Sequence, residues 1–193
     1  MMYSEPRKAR VLRKTREVNI VVELNLDEPG YNIVSPYPML THLLEAMAHH
    51  GSLGLKVEAS GDIQHHVIED LGIALGEALD KALGNRIGIA RFAHAIVPMD
   101  EALVLASLDL VRRPYVSISL GLRGSSIDGI DGGLIEHLLK SIALWGRFTL
   151  HVAKLRGKDV HHVAEASFKA LGLSLKSASR IVSEVVPSTK GEV

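Results

Sequence analysis

The chain of 193 residues contains no cysteine, which excludes disulfides and thiolate metal ligands together. Any metal it binds must be held by imidazole and carboxylate. No run of about 18 apolar residues occurs, and the opening stretch MMYSEPRKARVLRKTREV lacks the apolar middle of a signal peptide. A cytoplasmic protein without membrane contact is expected. Excess charge is missing as well: 22 basic residues balance 22 acidic ones, so no broad electrostatic footprint on nucleic acid is predicted. Heat-labile side chains are sparse, with one Gln and four Asn, as in thermophiles. At this length the chain can bury a substantial core, as one domain or two small ones.

What the sequence does contain is a stretch written twice. THLLEAMAHHGSLGLKVEASGDIQHHVIED, residues 41–70, is repeated as EHLLKSIALWGRFTLHVAKLRGKDVHHVAEA, residues 136–166. His42 aligns with His137, Gly51 with Gly146, the pair His65 and His66 with His161 and His162, and Glu69 with Glu165. The match runs on to Gly76 and Gly172. A duplication of this kind predicts two half-repeats, residues 1–94 and 95–193, sharing one core.

Hydrophobic periodicity places these residues on elements. VLRKTREVNIVVELNL, from Val11 to Leu26, is β-branched with partial alternation and reads as a strand, DEPG as a turn and YNIVS as the returning strand of a hairpin. MLTHLLEAMAHHG has helical spacing with Gly51 as its stop, LGLKVEASGD alternates as a strand, and Gln64 to Leu83 keeps a four-residue apolar step. Residues 89–122 predict three strands broken at PMDE and RRP, and GSSIDGIDGG a loop. Helix, strand and helix then recur. Strands, helix, strand, helix in each half predict an α+β fold in which antiparallel-rich sheets carry helices on one face and the two halves bury those helices against each other.

On a helix, residues four apart share a face, whereas adjacent ones point about 100° apart. One HHxxE unit can therefore feed two metals. Two units plus His42 and His137 offer six imidazoles and two carboxylates, enough for two positions of three His and one Glu each: His42, His65, His66, Glu69, His137, His161, His162 and Glu165. Such a donor set suits Mn, Fe, Zn or Ni and leaves coordination positions open for a substrate. His49, His94 and His151 have no repeat partners and read as surface or core histidines.

Joined to PMDEAL, RRPY and PSTKG, the repeats resemble the imidazoleglycerol-phosphate dehydratase family of histidine biosynthesis, and the resemblance runs from RKTRE at 13–17 through PSTKG at 187–191. It implies a duplicated fold related to the second domain of ribosomal protein S5, with two four-stranded sheets and helices packed between them. It also implies a 24-subunit homo-oligomer whose active sites, each with two manganese ions, are shared between subunits, and it assigns the eight residues above as ligands. The implied reaction dehydrates imidazoleglycerol phosphate to imidazoleacetol phosphate through a metal-stabilised imidazolate. By this resemblance Glu17 lies near the leaving hydroxyl, Glu165 combines ligand and proton shuttle, and Asp100 and His50 contact substrate. Arg91, Arg113, Lys169, Ser188 and Lys190 match the phosphate pocket. The chain departs from the pattern at Thr41, where the family has an Asp, at Ala46, at Asp159, at VRRP and in a shortened stretch before His65. A dinuclear phosphatase and an S5-like RNA-binding module with a structural metal are the competing readings.

Overall fold

The computed structural model describes residues 6–187. Its first half contains β1 (Lys8–Lys14), β2 (Val18–Asn25), β3 (Gly30–Val34), α1 (Pro38–Gly51), β4 (Gly54–Gly61) and α2 (Gln64–Leu83). The second contains β5 (Phe92–Met99), β6 (Ala102–Asp109), β7 (Tyr115–Ser119), the short β8 (Ser126–Ile127) and β9 (Ile130–Asp131), α3 (Gly132–Trp145), β10 (Thr149–Arg156) and α4 (Val160–Ser179). The sheets have the same strand order, β1-β2-β4-β3 and β5-β6-β10-β7, so the duplicated α+β architecture is present in the backbone itself.

Three expectations change. Val11–Leu26 is two strands: the Thr15 hydroxyl accepts hydrogen bonds from the backbone N–H of Glu17 and Val18 at 3.0 and 3.1 Å, making a serine/threonine-type turn within an otherwise continuous β-branched run. YNIVS does not return against β2. It forms β3, which pairs in parallel with β4, because α1 provides the crossover that a parallel pair requires. β4 thereby occupies the interior position beside β2. Third, GSSIDGIDGG contains the two-stranded β8–β9 hairpin rather than open loop.

Alternation decides which face of each sheet is covered. In β2, Val18, Ile20, Val22 and Leu24 are buried; in β6, Ala102, Val104, Ala106 and Leu108 are. α2 packs on β1 and β2 and against α3, while α4 packs on β5 and β6 and against α1. One apolar cluster runs through both halves, so neither half completes its core alone.

The helix contacts are close because they are made at glycines. A Cβ on Gly172 of α4 would run into the Met47 carbonyl of α1, and one on Gly51 would lie 3.1 Å from the Gly172 carbonyl oxygen. The repeat equivalents meet in the same way, with a Gly76 Cβ 2.6 Å from the Gly146 backbone nitrogen. Arg86 adds a polar tie at the far end of α2. Fully buried, its guanidinium donates to Asp80 at 2.6 Å, to the Gly146 and Arg147 carbonyls closing α3 at 2.7 and 2.9 Å, and to Leu110 at 3.1 Å. Burial pushes its pKa down and Asp80 opposes that, so the charge is compensated, while Nε remains buried without a hydrogen-bond partner.

Gly172→Ala should cost about 1–3 kcal/mol by overpacking, measured by denaturant unfolding, with Gly76→Ala similar. Arg86→Ala should cost about 3–5 kcal/mol, because it leaves the Gly146, Arg147 and Leu110 carbonyls without their donor and Asp80 with only the longer 3.4 Å contact to Arg112.

Candidate metal centre

The N-terminal turns of α2 and α4 carry the HHxxE units, and α1 and α3 bring the remaining histidines from the opposite half. Packing of α1 on α4 sets His42 against His161 and Glu165; packing of α3 on α2 sets His137 against His65 and Glu69. Within each trio the candidate donor atoms all lie within 4.8 Å of one another. His42 Nε2 is 2.9 Å from Glu165 Oε2 and His161 Nε2 is 3.3 Å from the same oxygen. In the other trio, His65 Nε2 and His137 Nε2 each lie 3.3 Å from a Glu69 oxygen. The imidazoles face each other nearly parallel, His42 with His161 at 28° and His65 with His137 at 27°.

This geometry fits a cation. The donors are imidazole nitrogen and carboxylate oxygen only, and His137 Nε2 is buried without a hydrogen-bond partner while facing the Glu69 carboxylate. A buried polar nitrogen without a partner is costly, and an ion within the trio would relieve that cost.

His66 and His162 stand outside both trios. Their rings are turned 88° and 85° from those of His65 and His161, as the 100° step between adjacent helical residues requires. Each is held from behind. His66 Nδ1 lies 2.8 Å from Asp62, with Glu17 at 3.7 Å; His162 Nδ1 lies 2.8 Å from Glu101, and its Nε2 3.5 Å from Asp100. Glu17 and Asp100 thus come from the tips of the equivalent β1–β2 and β5–β6 hairpins. Hydrogen bonds that the imidazoles donate to Asp62 and Glu101 raise the pKa values of His66 and His162. Glu101 in turn is held down to about 2 by His162 and by backbone N–H groups of Asp159 and Lys158.

Glu165 is the most buried ligand candidate. Burial alone would raise its pKa, but hydrogen bonds from Lys169 and His42 outweigh it and hold the carboxyl at about 2. Lys169 Nζ sits 2.7 Å from Glu165 Oε1. Partial burial, with the charges of Lys169 and His49, lowers the pKa of His50, while Glu165 opposes the shift. His50 and Lys169 therefore border this trio.

Arg91 and Arg113 do not. The Arg91 backbone N–H bonds to the Ala178 carbonyl at the far end of α4, roughly 25 Å from His161 at 1.5 Å per residue. Its guanidinium forms a fork with Asp109 at 2.8 and 3.0 Å and reaches the Pro187 carbonyl at 2.8 Å. Arg113 lies just after β6 at that same end, exposed, its guanidinium without a partner among the described residues. Ser188 and Lys190 lie outside the described residues.

Thr41 does not take the place of a carboxylate behind His42; its hydroxyl lies 3.0 Å from that of Ser35 and ties the loop before α1. Its repeat equivalent Glu136 ties the loop before α3, accepting from the Leu122 N–H and Arg123. Asp159 caps α4 by accepting from the His161 and His162 N–H groups. Sequence reading missed Asp62, Glu101 and Asp128, the last 2.6 Å from His161 Nδ1. Asp62 could have been found four residues before His66, whereas Glu101 and Asp128 are too distant in sequence to signal. It also missed a cleft of about 400 Å³ beside His65 and His137, lined in part by Val116, Ile118, Arg123 and Lys140.

The family model described as imidazoleglycerol-phosphate dehydratase matches residues 35–175. A protein of that name from Desulforudis audaxviator is 46% identical over 192 residues, covering 97% of this chain and 98% of its own. Another from Saccharolobus islandicus is 44% identical, covering 97% and 99%. Among solved structures, IGPD from Pyrococcus furiosus superposes with TM-score 0.84 at 37% identity over 95% of this chain and 100% of its own. The Staphylococcus aureus imidazoleglycerol-phosphate dehydratase gives 0.82 at 30% identity over 89% and 97%.

Glu101→Gln in metal-free protein should bring the raised His162 pKa back toward its ordinary value, followed by NMR titration. In the parent protein both partners are charged between about pH 2, where Glu101 protonates, and the raised pKa of His162. Their mutual stabilisation should fade as pH rises through the latter.

Proposed function

The chain belongs to the imidazoleglycerol-phosphate dehydratase family, and on that premise we propose that it dehydrates imidazoleglycerol phosphate to imidazoleacetol phosphate as a hydro-lyase using two manganese ions per active site. The observation that carries the reading is the pair of His, His, Glu trios, each assembled across the two halves and each with its donors converging on one point. The substrate's imidazole has two ring nitrogens, so two such positions suit one ring.

His42, His161 and Glu165 would hold one ion and His65, Glu69 and His137 the other. Ions there would stabilise the negative charge left on the substrate ring by loss of its N–H proton. The electron density of that charge can expel the neighbouring hydroxyl, after which the proton on the next carbon departs and the resulting enol relaxes to the ketone. The protein's own groups do the rest. Glu165, anionic well below neutral pH, keeps one oxygen toward the trio and the other on Lys169. His50, its pKa lowered, is neutral at pH 7 and able to take or give a proton at a ring nitrogen. Glu17 and Asp100, on exposed hairpin tips beside His66 and His162, are available to hydrogen-bond the substrate's hydroxyls, including the one that departs as water.

Two features favour sites shared between copies of the chain, as in a 24-subunit assembly. His66 and His162 point away from their own trios and can complete the positions of another copy. Arg91 and Arg113 lie a helix length from their own clusters, too far to hold the phosphate of a substrate bound there. With its fork taken by Asp109, Arg91 holds the Pro187 carbonyl, and Arg113, whose guanidinium has no partner among the described residues, would supply a cation for the phosphate together with Ser188 and Lys190.

Anaerobic reconstitution with Mn, Zn or no metal, followed by sizing and an assay for imidazoleacetol phosphate, tests the assignment. Turnover is expected only with metal, and its absence in every state would sink the reading; release of inorganic phosphate would instead indicate a phosphatase. Arg113→Ala should keep its metal but lose substrate affinity, and His161→Ala should lose turnover. Mixed assemblies of the two variants should regain activity that neither shows alone.

A further inference from the structure

The β8–β9 hairpin has no counterpart in the first half, where Ser35–Tyr37 suffices to join β3 to α1. It is a two-residue turn, Asp128–Gly129, with φ of 47° and 87°, the doubly positive pattern of a type I′ hairpin. Ile127 and Ile130 on either side are both 1% exposed, so the tip is anchored by apolar burial. From that tip Asp128 Oδ2 reaches His161 Nδ1 at 2.6 Å. On its other side, the Gln64 side chain donates to the Gly129 carbonyl at 2.9 Å and accepts from the Asp131 N–H at 3.3 Å. The hairpin therefore ties the first residue of α2 to the first histidine of α4.

The consequence for His161 follows from imidazole chemistry. With Nδ1–H donating to a carboxylate, Nε2 carries the free lone pair, and Nε2 is the nitrogen 3.3 Å from Glu165. Fixing the tautomer and ring plane in this way strengthens a histidine as a metal ligand. His65, at the equivalent place in the first half, has no hydrogen-bond partner on Nδ1 among the described residues. The two positions are thus supported unequally.

We propose that the β8–β9 hairpin is a positioning device for the His42, His161, Glu165 position, with Asp128 setting the His161 imidazole and Gln64 holding the hairpin in register. The inference rests on the two-ion reading above. It assigns Gln64 a role away from its sequence neighbour His65, toward the other trio.

Cobalt(II) is the probe, added to metal-free protein with a chelator buffering the free ion, and read by absorption and by bound metal per subunit. The parent protein should take two ions. Asp128→Ala should weaken one of them by about 10–100-fold, Asp128→Asn should recover part of the loss because it keeps an acceptor oxygen, and Gln64→Ala should weaken the same ion. In a His42→Ala background, which removes that position, Asp128→Ala should leave the remaining ion unchanged. Unaltered binding of both ions by Asp128→Ala would overturn the proposal, as would equal weakening of both together with a lowered melting temperature. Fewer than two ions in the parent protein would overturn the two-ion reading itself and this inference with it.

Discussion

Everything at the candidate metal centre depends on how closely two pairs of helices approach. Gly51 meets Gly172 and Gly76 meets Gly146 with no room for a side chain, so α1 lies directly on α4 and α3 on α2. Those contacts carry a histidine from each half into the carboxylate cluster of the other. A wider helix separation would still bury apolar surface, but the imidazoles could no longer converge on a common point. The same spacing leaves one core for the whole chain, and the halves hold each other's sites in place as they complete each other's interior.

The two sites share this plan without being equivalent. Around His42, His161 and Glu165 the protein has gathered Lys169, His50 and Asp128, while Glu69 keeps both oxygens directed to its own trio. Carboxylates behind the histidines come from three places: an adjacent loop for Asp62, a hairpin tip for Glu101 and an inserted hairpin for Asp128. Such partners set ring orientation and basicity, so ligands of one residue type can serve different tasks. Arg91 and Arg113 belong to the opposite end of the long helices, about a helix length from the histidine clusters.

Much of this was legible in the chain. The repeat and the helical interval selected eight residues, His42, His65, His66, Glu69, His137, His161, His162 and Glu165, of which the structure gathers all but His66 and His162 into the two trios. The order of helices and strands was readable for the same reason: periodicity is a local signal. The turn at Thr15 was not, since a hydroxyl capping backbone N–H groups leaves no break in a β-branched run. The parallel pairing of β3 with β4 was equally hidden, because register across a sheet depends on residues more than twenty positions apart.

By itself, then, the sequence determined which side chains exist to bind a cation, on which helical faces they stand, and that the pattern occurs twice. Only the tertiary structure decided which carboxylate His42 and His137 join, each crossing to the other half. It also decided that Asp128 and Glu101 stand behind His161 and His162, and that Arg91 is turned to Asp109 and the chain's own tail. These are contacts between segments far apart in sequence. They are set by how apolar faces close against each other, and no local pattern of residues encodes that closure.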